Sequence, residues 1–229
     1  MSTLPRLIVP PIPEGWDPTP EGWDPSPAGW DKGADLATWS WESVPPLPPF
    51  ILADGSNPAR QQTQARVCYD SEALYVRFDC DDRDIWGTFT NRNDPIYDEE
   101  VVEVFLAPGE ADPVRYFEFE ISPNGVLFDA QIYNPTSQRT ELEWDERWNC
   151  PGIRWQVARD DAAGHWSAVI VIPWMAVAPP GDLPPVWRAN FFRIERPRDA
   201  EPEFSCWSPT MTEPADFHKP AYFGVLELG

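Results

Sequence analysis

Beyond residue 60 the chain is dominated by two-residue alternation. In ALYVRFDC, Leu74, Val76, Phe78 and Cys80 alternate with Tyr75, Arg77 and Asp79, the period of a half-buried strand. ARVCYD precedes it across a turn at Ser71-Glu72, so the two runs predict a hairpin. Further runs lie at residues 101–107, 115–122, 126–133, 153–158, 166–172, 187–194 and 222–228. Turn signals separate them, notably Pro123-Asn124-Gly125 and residues 160–164. Many short strands, Gly/Pro-rich turns and no long helical period predict an all-β fold. The expected form is a two-sheet antiparallel β-sandwich of jelly-roll or immunoglobulin-like kind.

Alternation also assigns faces. Val102, Val104 and Leu106 are expected to face the core, leaving Val101, Glu103 and Phe105 opposite. In the next strand Phe117, Phe119 and Ile121 look inward, so Tyr116, Glu118 and Glu120 share the face of Glu103. If these strands form a hairpin through residues 108–114, Glu103 falls close to Glu118. Clustered carboxylates repel, so a cation or an arginine should sit among them. Arg193, in NFFR, is the candidate. Such a cluster reads equally as an internal salt-bridge network and as a ligand site.

Composition changes the picture at the N-terminus. The chain has 229 residues, 29 prolines and 13 tryptophans, and residues 14–33 read EGWDPTP, EGWDPSP, AGWDKG. A period of seven suggests a coiled coil, but Pro18, Pro20, Pro25 and Pro27 forbid a helix. Residues 1–33 are therefore expected to be an extended or irregular Pro/Trp-rich arm, and residues 34–229 the sandwich domain. Trp16, Trp23 and Trp30 could stack on sugars or pack back on their own domain.

A formal charge of −21, from 38 acidic and 17 basic residues, argues against nucleic acid and against an anionic membrane. It suits a neutral ligand, a bound cation or simple solubility. Cys68, Cys80, Cys150 and Cys206 show no metal-ligand spacing and read as free, buried thiols. The apolar run of residues 7–9 is too short for a signal peptide and no run is long enough to span a membrane, so the sequence as written reads as cytoplasmic.

Six segments, in order, carry a family likeness: CYDSEALYVRFDCDD (68–82), DPIYDEEVVEVFLAP (94–108), YFEFEISPNG (116–125), IPW (172–174), WRANFFRIE (187–195) and SCWSPTMTEPADFHKPAYFGVLEL (205–228). Together they resemble the family 9 carbohydrate-binding modules and their family-9-like relatives, over roughly residues 34 to 229. The resemblance implies a non-catalytic sugar-binding β-sandwich, extracellular, acting on polysaccharides such as cellulose or xylan and often accompanying glycoside hydrolases. It also implies two aromatic rings clamping a sugar, at Tyr97 and Phe217, where the family typically has tryptophan. The family glutamate corresponds to Glu103. A basic or amide side chain is expected on the neighbouring strand, where this sequence has Glu118 and Glu120. Trp207 and His218 flank Phe217 and join Arg193 as candidate ligand contacts. Trp144, Trp148 and Trp155 read as packing residues.

Asp79, Asp81, Asp82 and Asp84 form an acidic turn. Oxygen-rich turns suit calcium, which the resemblance implies as a structural ion, although a solvated turn is the simpler reading. No cofactor is required. Two further functions remain to be weighed. A retaining glycosidase needs two carboxyls about 5 Å apart, and Glu103 with Glu118 could supply them. A haem-binding electron-transfer sandwich needs axial ligands, for which Met211 and His218 are nominally available.

Overall fold

The computed structural model describes residues 3–16 and 41–229. The strands are β1 (Arg6–Val9), β2 (Ile51–Leu52), β3 (Thr63–Tyr69), β4 (Ala73–Asp81), β5 (Val101–Pro108), β6 (Arg115–Ile121), β7 (Leu127–Tyr133), β8 (Glu143–Asp145), β9 (Arg154–Asp160), β10 (His165–Pro173), β11 (Val186–Glu195), β12 (Glu203–Cys206) and β13 (Gly224–Leu228). One short helix, α1 (Trp174–Val177), follows β10. The larger sheet runs β1-β13-β11-β5-β6-β7-β8, with β12 on β11 and β2 on β12; the smaller runs β3-β4-β10-β9. Every predicted strand is present in this β-sandwich.

The core lies between the sheets. Leu74, Val76 and Phe78 of β4 and Ala168, Ile170 and Ile172 of β10 meet Val102, Val104 and Leu106 of β5 and Phe119 and Ile121 of β6. The alternation read from sequence therefore holds, because each strand has one face that only burial can satisfy. Cys68 pairs with Tyr75 rather than with Cys80, and all four cysteines are free and buried.

The boundary drawn after residue 33 needs correction. Residues 6–9 form β1, which lies parallel to β13, and Val9 is fully buried. The chain then crosses to the other sheet, where Tyr69 donates its N–H to Pro10 at 3.1 Å and Ile12 donates to Tyr69 at 2.8 Å. The first segment of the arm thus joins the edges of both sheets. Trp16 packs edge-on against Trp41 at 5.1 Å, covering the outside of the smaller sheet. Trp23 and Trp30 lie outside the described residues.

Arg193 also departs from expectation. It stands opposite Val102, and Val102 faces the core, so its guanidinium lies between the sheets and is fully buried. There it donates to Asp82 at 2.9 Å, to Glu195 and to the Asp81 carbonyl at 2.9 Å, beside the Trp166 ring. Glu100 completes a group of three converging carboxylates with Asp82 and Glu195. The cluster is an internal ion network and does not reach the outer face of the sheet. Trp207 is likewise no ligand contact: it packs in the core against Phe191, directly over Gly224.

The acidic turn does not converge on a calcium site. Asp79 is held by Arg77 at 2.7 Å and by Arg66 at 3.2 Å, and Asp84 by Arg198. Asp82 turns inward to Arg193 and to the Trp166 indole N–H, while Asp81 stays exposed. Strand alternation sends Asp79 and Asp81 to one side and Asp82 to the other, so the four cannot share one ion.

Two outcomes follow from this packing. A Cβ at Gly224 would collide with the Trp207 ring, so Gly224→Ala should lower stability by about 1–3 kcal/mol in chemical denaturation, with partial rescue by Trp207→Phe. Burial, then Asp82 and Glu195, pushes the Glu100 carboxyl up to about 9 from an ordinary 4.5. The folded state therefore binds the extra proton between those values, and this contribution to stability is lost as pH rises from about 4.5 to about 9. Glu100→Gln should flatten the fall in melting temperature over that window; an unchanged slope would show that Glu100 is not its source.

Candidate functional site

The outer face of the larger sheet is apolar as well. Phe105 on β5, Tyr116 on β6, Phe128 on β7 and Phe192 on β11 form a second buried layer, covered by the segment before β5 and the segment before β13. A cavity of about 390 Å³ opens in this cover. Its floor is the strands: Glu103 lies opposite Glu120, and Phe105 opposite Glu118.

Two aromatic rings stand among the lining residues. Tyr97, in the turn Ile96–Asp98, sets its ring edge-on to Phe128 at 5.5 Å. Phe217 stacks on Phe192 at 4.2 Å and 19°, with Phe204 edge-on at 5.9 Å. Each ring therefore has a second ring fixing its orientation. Trp144, on the edge strand β8, also lines the cavity and is 52% exposed. It is a presented ring and not the packing residue expected from sequence. Its pairing opposite Ile132 on β7 places it there, and that short strand has no sequence signal of its own.

His218 is held within the wall. Its Nδ1 meets the Tyr116 hydroxyl at 2.8 Å, and Nε2 stands 3.9 Å from Glu118. Burial, then the positive charge of Arg139, pushes this imidazole down to about 3. It is a neutral hydrogen-bonding group at physiological pH. The Met211 side chain lies half exposed beside Gly55, so the histidine–methionine pair weighed for haem shows no shared geometry with this wall.

Glu103, Glu118 and Glu120 converge, each offering an oxygen within 4.8 Å of the others. Burial raises all three; Glu118 is pushed up to about 7, and Glu103 and Glu120 go well above the usual carboxylate range. Neighbouring carboxylates add to the rise at Glu103 and Glu120.

Of the residues singled out from sequence, Tyr97, Glu103, Glu118, Phe217 and His218 line this cavity. Arg193 and Trp207 lie on the opposite side of the sheet. The positive charges at the cavity are instead Arg139 and Arg196, both on connecting segments where no strand period could have flagged them.

Comparison with known proteins gives the family and the fold. The family model for carbohydrate-binding family 9 matches residues 55–228. A protein from Arthroderma benhamiae, named an extracellular protein, is 31% identical over 172 residues, covering 71% of this chain and 76% of its own length. Among solved structures, a candidate carbohydrate-binding protein from Bacteroides uniformis is 20% identical with a TM-score of 0.71, over 99% of this chain and 100% of that one. A family 9 module from Caldicellulosiruptor kristjanssonii, solved with glucose, is 14% identical with a TM-score of 0.59, over 98% and 96%. The same organism's family 9 module solved with cellotriose gives 13% and 0.60, over 98% and 93%. The chain belongs to carbohydrate-binding family 9, whose members bind carbohydrate without catalysis.

Proposed function

We propose that this protein binds a sugar unit in the cavity between Tyr97 and Phe217, without chemical turnover. The observation that carries the reading is that both rings, each backed by another ring, line one cavity whose floor is acidic. A pyranose has a face of C–H groups and a rim of hydroxyls. Aromatic faces complement the first, and carboxylates and a neutral imidazole bond the second. Burial makes Glu103 and Glu118 hold protons more tightly, and a carboxyl that can both donate to and accept from a hydroxyl has a role toward an uncharged ligand.

Glucose-type units are the favoured ligand class, supported by the family 9 modules solved with glucose and with cellotriose. The exposed ring of Trp144 at the cavity offers a platform for a neighbouring unit, which favours short chains over single sugars. The named extracellular relative supports an extracellular place of work, where polysaccharide-degrading enzymes would be its companions.

Calorimetric titration with glucose, cellotriose and xylotriose tests this. Tyr97→Ala and Phe217→Ala should each lose about 1 kcal/mol or more of binding free energy while retaining cooperative unfolding. Trp144→Ala should weaken cellotriose and leave glucose nearly unchanged. Wild-type affinity in both the Tyr97 and Phe217 variants would remove the site.

A further inference from the structure

Two groups of three carboxylates converge among the described residues, one on each side of the larger sheet. The group between the sheets encloses the guanidinium of Arg193. The group at the cavity floor has no such counterpart. Among the described residues no arginine or lysine makes an ion pair with Glu103, Glu118 or Glu120, and the one basic group at ion-pair distance is His218, 3.9 Å from Glu118. Arg139, at the cavity, faces Asp216 at 3.7 Å.

Glu120 supplies the second observation. It is 1% exposed, and its Oε2 has no hydrogen-bond partner. A buried carboxyl oxygen without a partner is costly, and a cation seated among the three side chains, in exchange for the protons that burial makes them hold, would satisfy it. The donors are all carboxylate oxygens, the set preferred by hard cations and not by zinc or copper. Oxygens on one calcium, at about 2.3–2.6 Å from it, lie at most about 5 Å apart, and the triad meets that limit.

We propose that Glu103, Glu118 and Glu120 hold a divalent cation of the calcium class at the floor of the cavity, with open coordination positions facing the space between Tyr97 and Phe217. Calcium takes about six to eight oxygens, more than three monodentate carboxylates supply, so water completes the shell until adjacent sugar hydroxyls replace it. That second step rests on the sugar-binding reading above; the ion itself binds the bare protein. An ammonium group carried by an amino sugar would meet the same charge deficit. The depth of the triad favours the ion, since all three side chains are more than nine-tenths buried and a single atom reaches them more readily than a ring substituent.

The test uses protein dialysed against EDTA, titrated first with calcium chloride and then with cellotriose in calcium or in EDTA. Wild type should bind calcium at this site, Glu120→Gln should bind it at least about tenfold more weakly, and EDTA should weaken cellotriose binding. A melting curve shows whether Glu120→Gln is folded. Should it not be, terbium luminescence on wild type and Trp144→Phe takes its place. An ion in this cavity is excited through Trp144, so its emission should fall in Trp144→Phe. No calcium binding in wild type, equal binding in folded Glu120→Gln or terbium emission indifferent to Trp144→Phe would overturn the cation site. Equal cellotriose affinity in calcium and EDTA would overturn the bridging step and leave the sugar reading intact. Glucosamine binding in EDTA, without calcium binding, would assign the triad to an ammonium group instead. Calcium binding with no sugar binding would uphold the ion and remove the sugar reading.

Discussion

Strands β5 and β6 present Glu103, Glu118 and Glu120 on the same face as Phe105 and Tyr116. Covering the aromatic residues therefore also takes the carboxylates out of water. Desolvation disfavours their charged forms and makes each of them seek a positive partner or a hydrogen-bond donor. The segments that close over this face supply Tyr97, Phe217 and His218 but leave a cavity above the acids. What can enter that cavity is set by this conflict between aromatic walls and a buried polar floor.

Across the same sheet the protein meets the equivalent problem with its own atoms. Asp82, Glu100 and Glu195 surround Arg193, whose guanidinium also lies over Trp166. Removing one member of such a buried network strands the others, so the group is a fixed part of the sandwich. The two triads differ in what stands among their carboxyls. One triad holds an arginine, while the other opens onto a cavity lined by Tyr97, Trp144 and the buried ring of Phe217.

Much of this was legible in sequence because alternation along β4, β5 and β6 sorts their residues onto two faces. Their alternation correctly placed Glu103, Glu118 and Glu120 together. Strand β11 is apolar on both sides, since Phe191 packs between the sheets and Phe192 under Phe217. In such a strand the side taken by Arg193 depends on register with β5, which local pattern does not contain. Trp207 was misplaced for a related reason, because a core tryptophan and a ligand platform look alike until burial is known. The run of residues 7–9 becomes a strand only through β13, far along the chain, so its partner was invisible locally. The acidic turn misled by proximity in sequence, which alternation converts into separation in space.

The central claim is that sugar sits over the outer face of the larger sheet. A second cavity offers a built-in control, lined by the turn residues Pro123, Asn124 and Gly125 and by Trp155 and Arg159 of β9. The most direct measurement is a map of backbone amide shifts as cellotriose is added. The account predicts the largest changes around residues 96–105, 116–120 and 215–218. Changes centred on residues 123–125 and 155–159, with the first set still, would contradict it.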